Sequence, residues 1–234
     1  MIDIHSHIIP FIDDGSTSTE GSLRMLSEEI EKGVTDIIFT PHFRRGMFES
    51  SIKKNKEEFD KLVEEIKKAN LNINVYLGQE IYIRNLGSFK KYLDYGLIMP
   101  LNNTEYYLLE FNYYDDIDIS EVAYNVRLLD KKVIIAHFER YTYATVRDAE
   151  EIRNNDGLIQ INASSICGAH GFKIKKKVMD LFKKDLVDFV SSDIHEARKN
   201  YMDKAYKIIK KKFGEEYANM VFNENAKILL KGWI

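Results

Sequence analysis

Seven short apolar runs, most of them separated by segments of helical periodicity, constrain the fold of this chain more than any other feature. The runs are rich in Ile, Val, Leu and Tyr and lack polar alternation, so both faces of each strand are expected to be buried. Buried strands that alternate with helices are typical of a parallel sheet covered by helices. The predicted strands cover residues 2–5, 36–40, 73–78, 106–111, 132–136, 158–162 and 186–191.

The number and spacing of these runs indicate the architecture. Seven strands between residues 2 and 191 suit a (β/α) barrel better than an open sheet of five or six strands, which remains the alternative fold. The chain has three prolines, no internal repeat and no Pro/Gly/Ser-rich linker, so one domain over residues 1–234 is expected. The predicted helices lie near residues 19–32, 52–69, 120–129, 146–154, 173–184 and 199–212.

The charge balance argues against two classes of partner. The formal net charge is −3 and the pI is about 6.1, which gives no electrostatic reason to expect nucleic acid or an anionic membrane. A single cysteine forms no internal disulfide, and no apolar window is long enough to span a bilayer. The start, "MIDIHSH", has no basic leader. A cytoplasmic protein without direct membrane insertion is therefore expected, and the lack of a heptad run favours a monomer.

Polar residues able to bind metal follow the predicted strands. Five of the six histidines stand at carboxyl ends of strands, and only His170 does not. Side chains at that end of an α/β barrel converge on one active-site mouth, so we expect them to share a site. The candidates are His5, His7, Asp14, His42, Glu80, Glu110, His137, Asp193 and His195.

The spacing of these residues suits metal coordination. In H-x-H on a strand the two imidazoles point the same way, about 6–7 Å apart at their Cα atoms, and Asp193 and His195 repeat this spacing. Mixed histidine and carboxylate ligands suit Mn, Fe or Zn rather than a thiolate or all-oxygen site. Nine candidates exceed the needs of one ion, so two or three are expected. Asp13, beside Asp14 in a "DDG" sequence, is interpreted as a turn residue.

Such a cluster has a recognised use in phosphoester hydrolysis. Two or three divalent ions lower the pKa of a bound water from 15.7 toward ~7 and clamp a phosphoryl group. Any one histidine, taken alone, would be interpreted as a hydrogen-bonded structural residue. Their joint placement at the strand ends favours a metal-dependent phosphoesterase instead.

Several motifs resemble those of a known family. The stretches "MIDIHSHIIPFIDDGS", "TPHFRRGMFE", "GQEIY", "YLLEF", "IIAHFERY" and "SSDIH" are similar to the polymerase-and-histidinol-phosphatase (PHP) superfamily. Within it they resemble the manganese-dependent protein-tyrosine phosphatases of bacterial capsule and exopolysaccharide operons. The resemblance runs from residue 1 to about residue 198 and continues in the last helix, "VFNENAKILLKG". It implies a distorted seven-stranded, TIM-like (β/α) barrel of PHP type with a trinuclear site.

The resemblance also assigns roles to residues. It implies the same nine ligands: His5, His7 and Asp193 on one ion, Glu80 bridging to a second that His137 and Glu110 help bind, and Asp14, His42 and His195 on the third. Arg140 and Arg198 would bind the phosphate, although the "EAR" loop before Arg198 is shorter than in relatives. Arg44 and Arg45 match a basic pair that could steer an acidic phosphopeptide. Mn is the expected metal, with Fe or Zn as alternatives.

The implied reaction is hydrolysis of phosphotyrosine by a metal-activated hydroxide that attacks phosphorus. The implied substrate is the tail of a membrane-associated bacterial tyrosine kinase, or its adaptor, that controls capsular or exopolysaccharide synthesis. Hydrolysis of histidinol phosphate or another small phosphomonoester is the alternative, and a metal-free scaffold is disfavoured because all nine ligand positions are retained. A cysteine-based phosphatase is disfavoured because the residue six positions after Cys167 is Lys173 rather than arginine.

Overall fold

Nine parallel strands lie at the centre of the computed structural model, which describes residues 1–231. β1, β2 and β4 form one sheet, and the other six form a second sheet in the order β3-β5-β6-β7-β8-β9. All strand pairs in both sheets are parallel. The strands are β1 (Ile2–Ser6), β2 (Asp36–Phe39), β3 (His42–Phe43), β4 (Asn74–Leu77), β5 (Glu80–Tyr82), β6 (Tyr106–Glu110), β7 (Lys132–Ile135), β8 (Leu158–Asn162) and β9 (Phe189–Ser191).

Helices connect the strands and cover the sheets. Several begin with a side chain that accepts a hydrogen bond from the first turn, as Ser18, Ser51 and Thr145 do. Single 3-10 turns occur at Leu101–Asn103 and Phe138–Arg140, and a π-helical turn at Met220–Glu224. The helices are α1 (Thr19–Glu31), α2 (Ile52–Lys68), α3 (Leu86–Asp94), α4 (Ile119–Arg127), α5 (Val146–Asn154), α6 (Ala163–Cys167), α7 (Phe172–Lys183), α8 (Met202–Phe213), α9 (Glu215–Asn219) and α10 (Lys227–Leu230).

The predicted α/β class with a parallel sheet is confirmed, whereas the predicted count of seven strands is not. Each predicted strand overlaps one observed strand, and β3 and β5 are additional. β3 follows Pro41, which has no N–H to continue the ladder of β2, and β5 follows the break at Gly78 and Gln79. Helix α3 was not predicted either. Residues 232–234 of the predicted domain lie outside the described residues.

The two sheets curl so that the first and last strands come together. Ser6 and Ile194 form a parallel bridge. The backbone N–H of Asp193 donates to His5 O at 3.0 Å, and that of His7 donates to Ile194 O at 3.0 Å. The carboxyl ends of β1 and β9 therefore lie side by side, which brings histidines from opposite ends of the sequence to one place.

Two apolar cores lie on opposite sides of the strands. The larger core packs the helices against the sheets and includes Ile37, Phe39 and Leu109. The smaller one joins alternate residues of several strands, among them Ile4 and Leu108, on the concave side of the curled sheets. This alternation follows from the two-residue period of strand side chains. The concave side is thus filled by apolar residues beneath the polar strand ends.

Candidate metal centre

All nine predicted ligands meet at the carboxyl ends of the strands. They form four overlapping groups, and within each group the ligand atoms lie within 4.8 Å of one another. Of the nine, only Asp14 is substantially exposed. The groups are His5, His7 and Asp193; His7, Asp14, His42 and His195; His5, Glu80 and His137; and His42, Glu80 and Glu110.

Glu80 lies at the middle of the cluster. Its Oε2 is 3.2 Å from His5 Nε2, 3.3 Å from His7 Nε2 and 2.8 Å from His42 Nδ1. Its other oxygen, Oε1, is 2.9 Å from His137 Nε2. Glu80 is fully buried. Glu80, with four imidazoles around it, belongs to two of the four ligand groups.

Three histidines direct a free ring nitrogen into this cluster. His5 Nδ1 donates to Gln160 Oε1 at 3.2 Å, and His195 Nδ1 donates to the carbonyl oxygen of Asp193 at 3.1 Å. His7 Nδ1 donates in the same way to Asp13 Oδ2 at 2.8 Å. Because these oxygens can only accept, each Nδ1 carries a hydrogen, so Nε2 is the ring nitrogen left to bind either a proton or a metal ion, as in metal-binding histidines.

The polar atoms of the cluster fit divalent ions. The Nε2 atoms of His5 and His7 lie 3.2 Å apart, so a proton or a metal ion is needed between their lone pairs. Glu110 Oε2 and His195 Nε2 are buried without a hydrogen-bond partner among residues 1–231. Buried polar atoms are normally satisfied, and these nitrogen and oxygen donors suit Mn, Fe or Zn. The chemistry of the donor set therefore matches the expected metals.

The charges of the cluster shift its pKa values strongly. Burial by itself would lower the pKa of His5, but the Glu80 carboxylate raises it to about 9. Burial would also lower the pKa of His42, but the carboxylates of Glu80 and Glu110 outweigh this effect and raise the pKa to about 10. The pKa of Glu80 falls well below its ordinary value because of His5 and His42, although burial opposes this shift. The carboxylates therefore require positive charge beside them, whether it comes from protons or from metal ions.

The pairing of β1 is irregular at the position where His5 points toward the cluster. Ile2 and Ile4 both belong to the core on the concave side, so strict alternation would direct His5 to the opposite face. The register of β1 against β2 shifts between Asp3 and Ser6. Bulges of this kind re-aim side chains next to active sites. The irregularity explains how His5 reaches Glu80 from the same strand that carries Ile4.

Two ligands have backbone angles that side chains rarely adopt. His137 has a φ of 33° and Asp193 a φ of 50°, both in the left-handed region. Such strain occurs where surrounding contacts hold it, often at functional sites. The N–H of His137 donates to Gln160 Oε1 at 2.7 Å, and that of Asp193 is held by His5. Each side chain is thus turned into the cluster directly after its strand ends.

Supporting residues around the ligands were missed or only partly predicted. Asp13 forms the expected turn, since its Oδ1 accepts from the Gly15 N–H at 2.9 Å, but its Oδ2 also fixes His7. Gln160 and Asn162 share one face of β8, and Asn162 Nδ2 donates to Asp193 Oδ2 at 2.8 Å. Their i, i+2 spacing at a strand end was the signal that could have identified Gln160.

The two predicted phosphate-binding arginines lie beside the cluster. Arg140 lies over the ring of Tyr113, with its guanidinium carbon 4.7 Å from the ring centre. Arg198 Nη1 donates to Asp193 Oδ2 at 3.1 Å. Both arginines line a cavity of about 280 Å³ that Asp193 and His170 also border. The cavity therefore adjoins the candidate metal ligands and presents two guanidinium groups.

Arg44, Arg45 and Cys167 do not line the cavity that contains Arg140 and Arg198. Arg44 stacks on Tyr82, with its guanidinium carbon 4.3 Å from the ring centre, and Arg45 pairs with Glu49 at 2.8 Å. Both line a groove next to the cluster rather than the cavity that contains Arg140 and Arg198. Cys167 is half-buried in α6, and burial raises the pKa of its thiol, which disfavours a thiolate nucleophile.

Comparisons with known proteins agree with these observations. A family model for capsular polysaccharide synthesis, CpsB/CapC, matches residues 1–231. The tyrosine-protein phosphatase CpsB of Streptococcus agalactiae is 35% identical, over 99% of this chain and 98% of its own length. The tyrosine-protein phosphatase YwqE of Bacillus subtilis (strain 168) is 31% identical over 99% of this chain and 92% of its own length.

Solved structures share the fold. A chain from the crystal structures of YwqE from B. subtilis and CpsB from Streptococcus pneumoniae, described as unique metal-dependent tyrosine phosphatases, covers 100% of this chain and 96% of that chain. It superposes with a TM-score of 0.90 at 30% identity. A histidinol phosphate phosphatase from Lactococcus lactis, in complex with zinc, L-histidinol and phosphate, has a TM-score of 0.55 over 90% of this chain and 94% of its own. At 17% identity that likeness concerns the fold alone.

No helix among residues 1–231 has both the length and the apolar character required to cross a membrane. The family match and the relatives at more than 30% identity each extend over nearly the whole chain. The chain belongs to the CpsB/CapC family of capsular polysaccharide synthesis proteins.

Proposed function

We propose that this chain is a metal-dependent tyrosine-protein phosphatase. The observation that carries the proposal is the position of the cavity lined by Arg140 and Arg198 directly beside the nine clustered ligand side chains. A phosphoryl group in that cavity would meet cationic hydrogen-bond donors on one side and the ligand cluster on the other. The names of the relatives support phosphotyrosine as the substrate class.

The nine clustered side chains would hold two or three divalent ions, with Mn²⁺ expected and Fe or Zn as alternatives. Bound ions of this kind supply an acidified water and neutralise phosphoryl charge. The supporting residues keep the lone pairs of the histidines available for them: Gln160 holds His5, and Asp13 holds His7. The grouping of ligands by ion that the family resemblance implies is part of this proposal.

Arg140 and Arg198 would bind the oxygens of the phosphoryl group. A guanidinium offers two parallel donors to such oxygens and keeps its charge at every relevant pH. Arg140 stacks on the ring of Tyr113, and Arg198 donates a hydrogen bond to Asp193. Both guanidinium groups are therefore positioned before the substrate binds. Preorganised donors of this kind stabilise the charge that develops on a transferred phosphoryl group.

The protein substrate would be the phosphotyrosine-containing tail of a membrane-associated tyrosine kinase, or of its adaptor, that controls capsular or exopolysaccharide synthesis. The family to which the chain belongs supports this assignment. Arg44 and Arg45 would steer an acidic phosphopeptide, because both line a groove next to the ligand cluster. We further propose that the protein acts in the cytoplasm as a monomer.

We also propose that the two sheets together make a distorted barrel with seven strand positions within one domain, residues 1–234. Two of these positions would each be filled by two consecutive short strands: β2 followed by β3, and β4 followed by β5. Backbone hydrogen bonds support this reading, since the Thr40 N–H donates to Ser6 O and the Gly78 N–H donates to Phe39 O, both at 2.8 Å. The Ser6–Ile194 bridge would close the ring.

Phosphate release from a phosphotyrosine peptide tests the activity. Chelator-stripped protein is expected to be inactive and to regain activity when Mn²⁺ is added. Histidinol phosphate, measured in parallel, is expected to turn over far more slowly. Folded protein that releases no phosphate from the peptide in either state, yet hydrolyses histidinol phosphate, would overturn the assignment in favour of a small phosphomonoester. Inactivity on both, without metal uptake, would point to a scaffold.

A further inference from the structure

A second concave surface lies next to the ligand cluster. This basic groove has a volume of about 620 Å³ and is lined by four cationic side chains and a single carboxylate, Glu49. The whole chain has a formal net charge of −3, so this local excess of positive charge is not a reflection of general composition. The four cations of the groove are Arg44, Arg45, Arg84 and Lys91.

Three of these cations have no carboxylate partner among residues 1–231, and one of the three, Arg44, stacks on Tyr82. Arg45 pairs with Glu49 at 2.8 Å, and the Gly46 N–H also donates to Glu49. Neither Arg84 nor Lys91 makes a salt bridge or a side-chain hydrogen bond to any residue in 1–231. Like charges that share a groove without a carboxylate between them repel one another. An anionic ligand that binds in the groove would neutralise these charges and relieve the repulsion.

The strand register connects the basic groove to the ligand cluster. His42 on β3 pairs directly with Glu80 on β5, and both belong to the cluster. Tyr82, two residues after Glu80 on β5, lies on the same face about 6–7 Å further along, and Arg44 directly follows β3 beside it. The stacking of Arg44 on Tyr82 fixes its guanidinium at this boundary. The groove therefore begins where the ligand cluster ends.

We propose that the basic groove binds an anionic side chain of the substrate peptide, located near the phosphotyrosine. The ligand is a carboxylate or a second phosphoryl group, since arginine binds both with two parallel hydrogen bonds. An extended chain advances about 3.3–3.6 Å per residue, which places this anion roughly two to four residues from the phosphotyrosine. This inference rests on the proposed phosphatase activity and names the class of peptide that the same site prefers.

The decisive residues are Arg84 and Lys91, because neither contacts the ligand cluster. An Arg84→Gln/Lys91→Gln double variant removes two of the three cations that have no carboxylate partner and is expected to fold normally, since both side chains are exposed. Lys90→Gln is the matched control: Lys90 is exposed on the same helix, α3, but does not line the groove. Hydrolysis of p-nitrophenyl phosphate is expected to be unchanged in all three proteins.

Three phosphotyrosine peptides test the preference. The first has neutral residues on both sides of the phosphotyrosine. The second has glutamates two to four residues from the phosphotyrosine, and the third has a non-hydrolysable phosphonomethylphenylalanine at that distance. For the wild type and the control we expect about a 5–10-fold lower KM for the two anionic peptides, with kcat unchanged and the advantage lost at high salt. The double variant is expected to lose most of this advantage, and Arg44 and Arg45, which still line the groove, account for what is left. The peptide with the larger advantage identifies the preferred anion.

Equal preference in wild type and double variant would overturn the inference, as would the absence of any preference in the wild type. Failure of the proposed activity gives a different result, namely no phosphate released from any peptide by any of the proteins. In that case, fluorescence anisotropy of a labelled, glutamate-flanked phosphonomethylphenylalanine peptide tests the groove directly. Weaker binding to the double variant than to Lys90→Gln would support the groove, and equal binding would refute it.

Discussion

Asp13 Oδ2 accepts two hydrogen bonds, from His7 Nδ1 and from the backbone N–H of His42, both at 2.8 Å. One carboxylate therefore positions two candidate ligands on different strands without belonging to any ligand group itself. Burial opposes ionisation of Asp13, but the neighbouring His7 holds the pKa of this carboxyl well below its ordinary value. It is ionised at neutral pH and adds negative charge behind the His7 ring.

Asp13→Asn is expected to weaken metal binding. The amide is a poorer acceptor for His7 Nδ1–H and contributes no charge, and loss of such supporting partners typically costs 10–100-fold in metal affinity. We expect activity to return at Mn²⁺ concentrations higher by about that factor. Titration of stripped protein with Mn²⁺ measures the shift, with the exposed Asp116→Asn as control. An unchanged midpoint would mean that Asp13 serves only the turn.

Metal binding and phosphoryl binding are expected to separate in two variants. His5→Ala should lose metal and activity together, because His5 belongs to two of the four ligand groups. Arg140→Ala should retain metal but lose about 2–4 kcal/mol of transition-state stabilisation, the scale of one preorganised donor. Metal content and kcat/KM on a phosphotyrosine peptide measure both effects. Arg147→Ala, at an exposed arginine paired with Glu151, is the control. Normal kcat/KM in metal-replete Arg140→Ala would remove that arginine from the mechanism.

The metal-free protein is expected to lose stability as the pH rises. His5 and His42 keep their protons in the folded state up to pH values of about 9 and 10, whereas unfolded histidines lose them near 6.5. Above pH 6.5 the folded state therefore holds more protons, and its free energy of unfolding falls with pH. Metal replaces those protons, so apparent affinity should rise up to roughly tenfold per pH unit for each proton released.

Thermal unfolding at pH 6.5, 7.5 and 8.5, with and without Mn²⁺, checks this dependence. The gain in Tm on adding metal is expected to increase with pH. His170→Asn should leave the trend unaltered, because His170 lies outside all four ligand groups. A metal-free Tm that is independent of pH across this range would contradict the assignment of protons to the cluster.

Phe11→Asn is expected to stabilise the protein. Phe11 has a φ of 64°, and its side chain is 62% exposed. The left-handed conformation costs roughly 1–2 kcal/mol for most residues, whereas Asn tolerates it. We expect the free energy of unfolding, from urea denaturation, to rise by about 1 kcal/mol. Tyr114→Asn, at an aromatic residue that is more exposed and does not have a positive φ, should give no such gain. Equal effects of the two substitutions would show that strain at Phe11 is negligible.

The sequence pattern predicted those features that depend on neighbouring residues. Apolar runs located the seven main strands, and the histidines that follow them located the place where the side chains meet. Features that depend on distant residues were not accessible: the register shift at His5 is a property of the pairing between β1 and β2, and the contact of Gln160 with His5 joins β8 to β1. β3 and β5 are too short to carry a periodic signal, and their pairing joins residues far apart in the sequence, such as His42 and Glu80.

The side-by-side position of β1 and β9 has a consequence during synthesis. The ligand group of His7, Asp14, His42 and His195 takes its members from both ends of the fold. A nascent chain leaves the ribosome amino terminus first, so the first three of these residues are outside the ribosome well before the fourth. The ligand cluster can be completed only after His195 has left the ribosome and β9 has reached β1. A translation product that stops before His195 would lack part of the cluster. The complete cluster can therefore form only in chains whose synthesis has continued past His195.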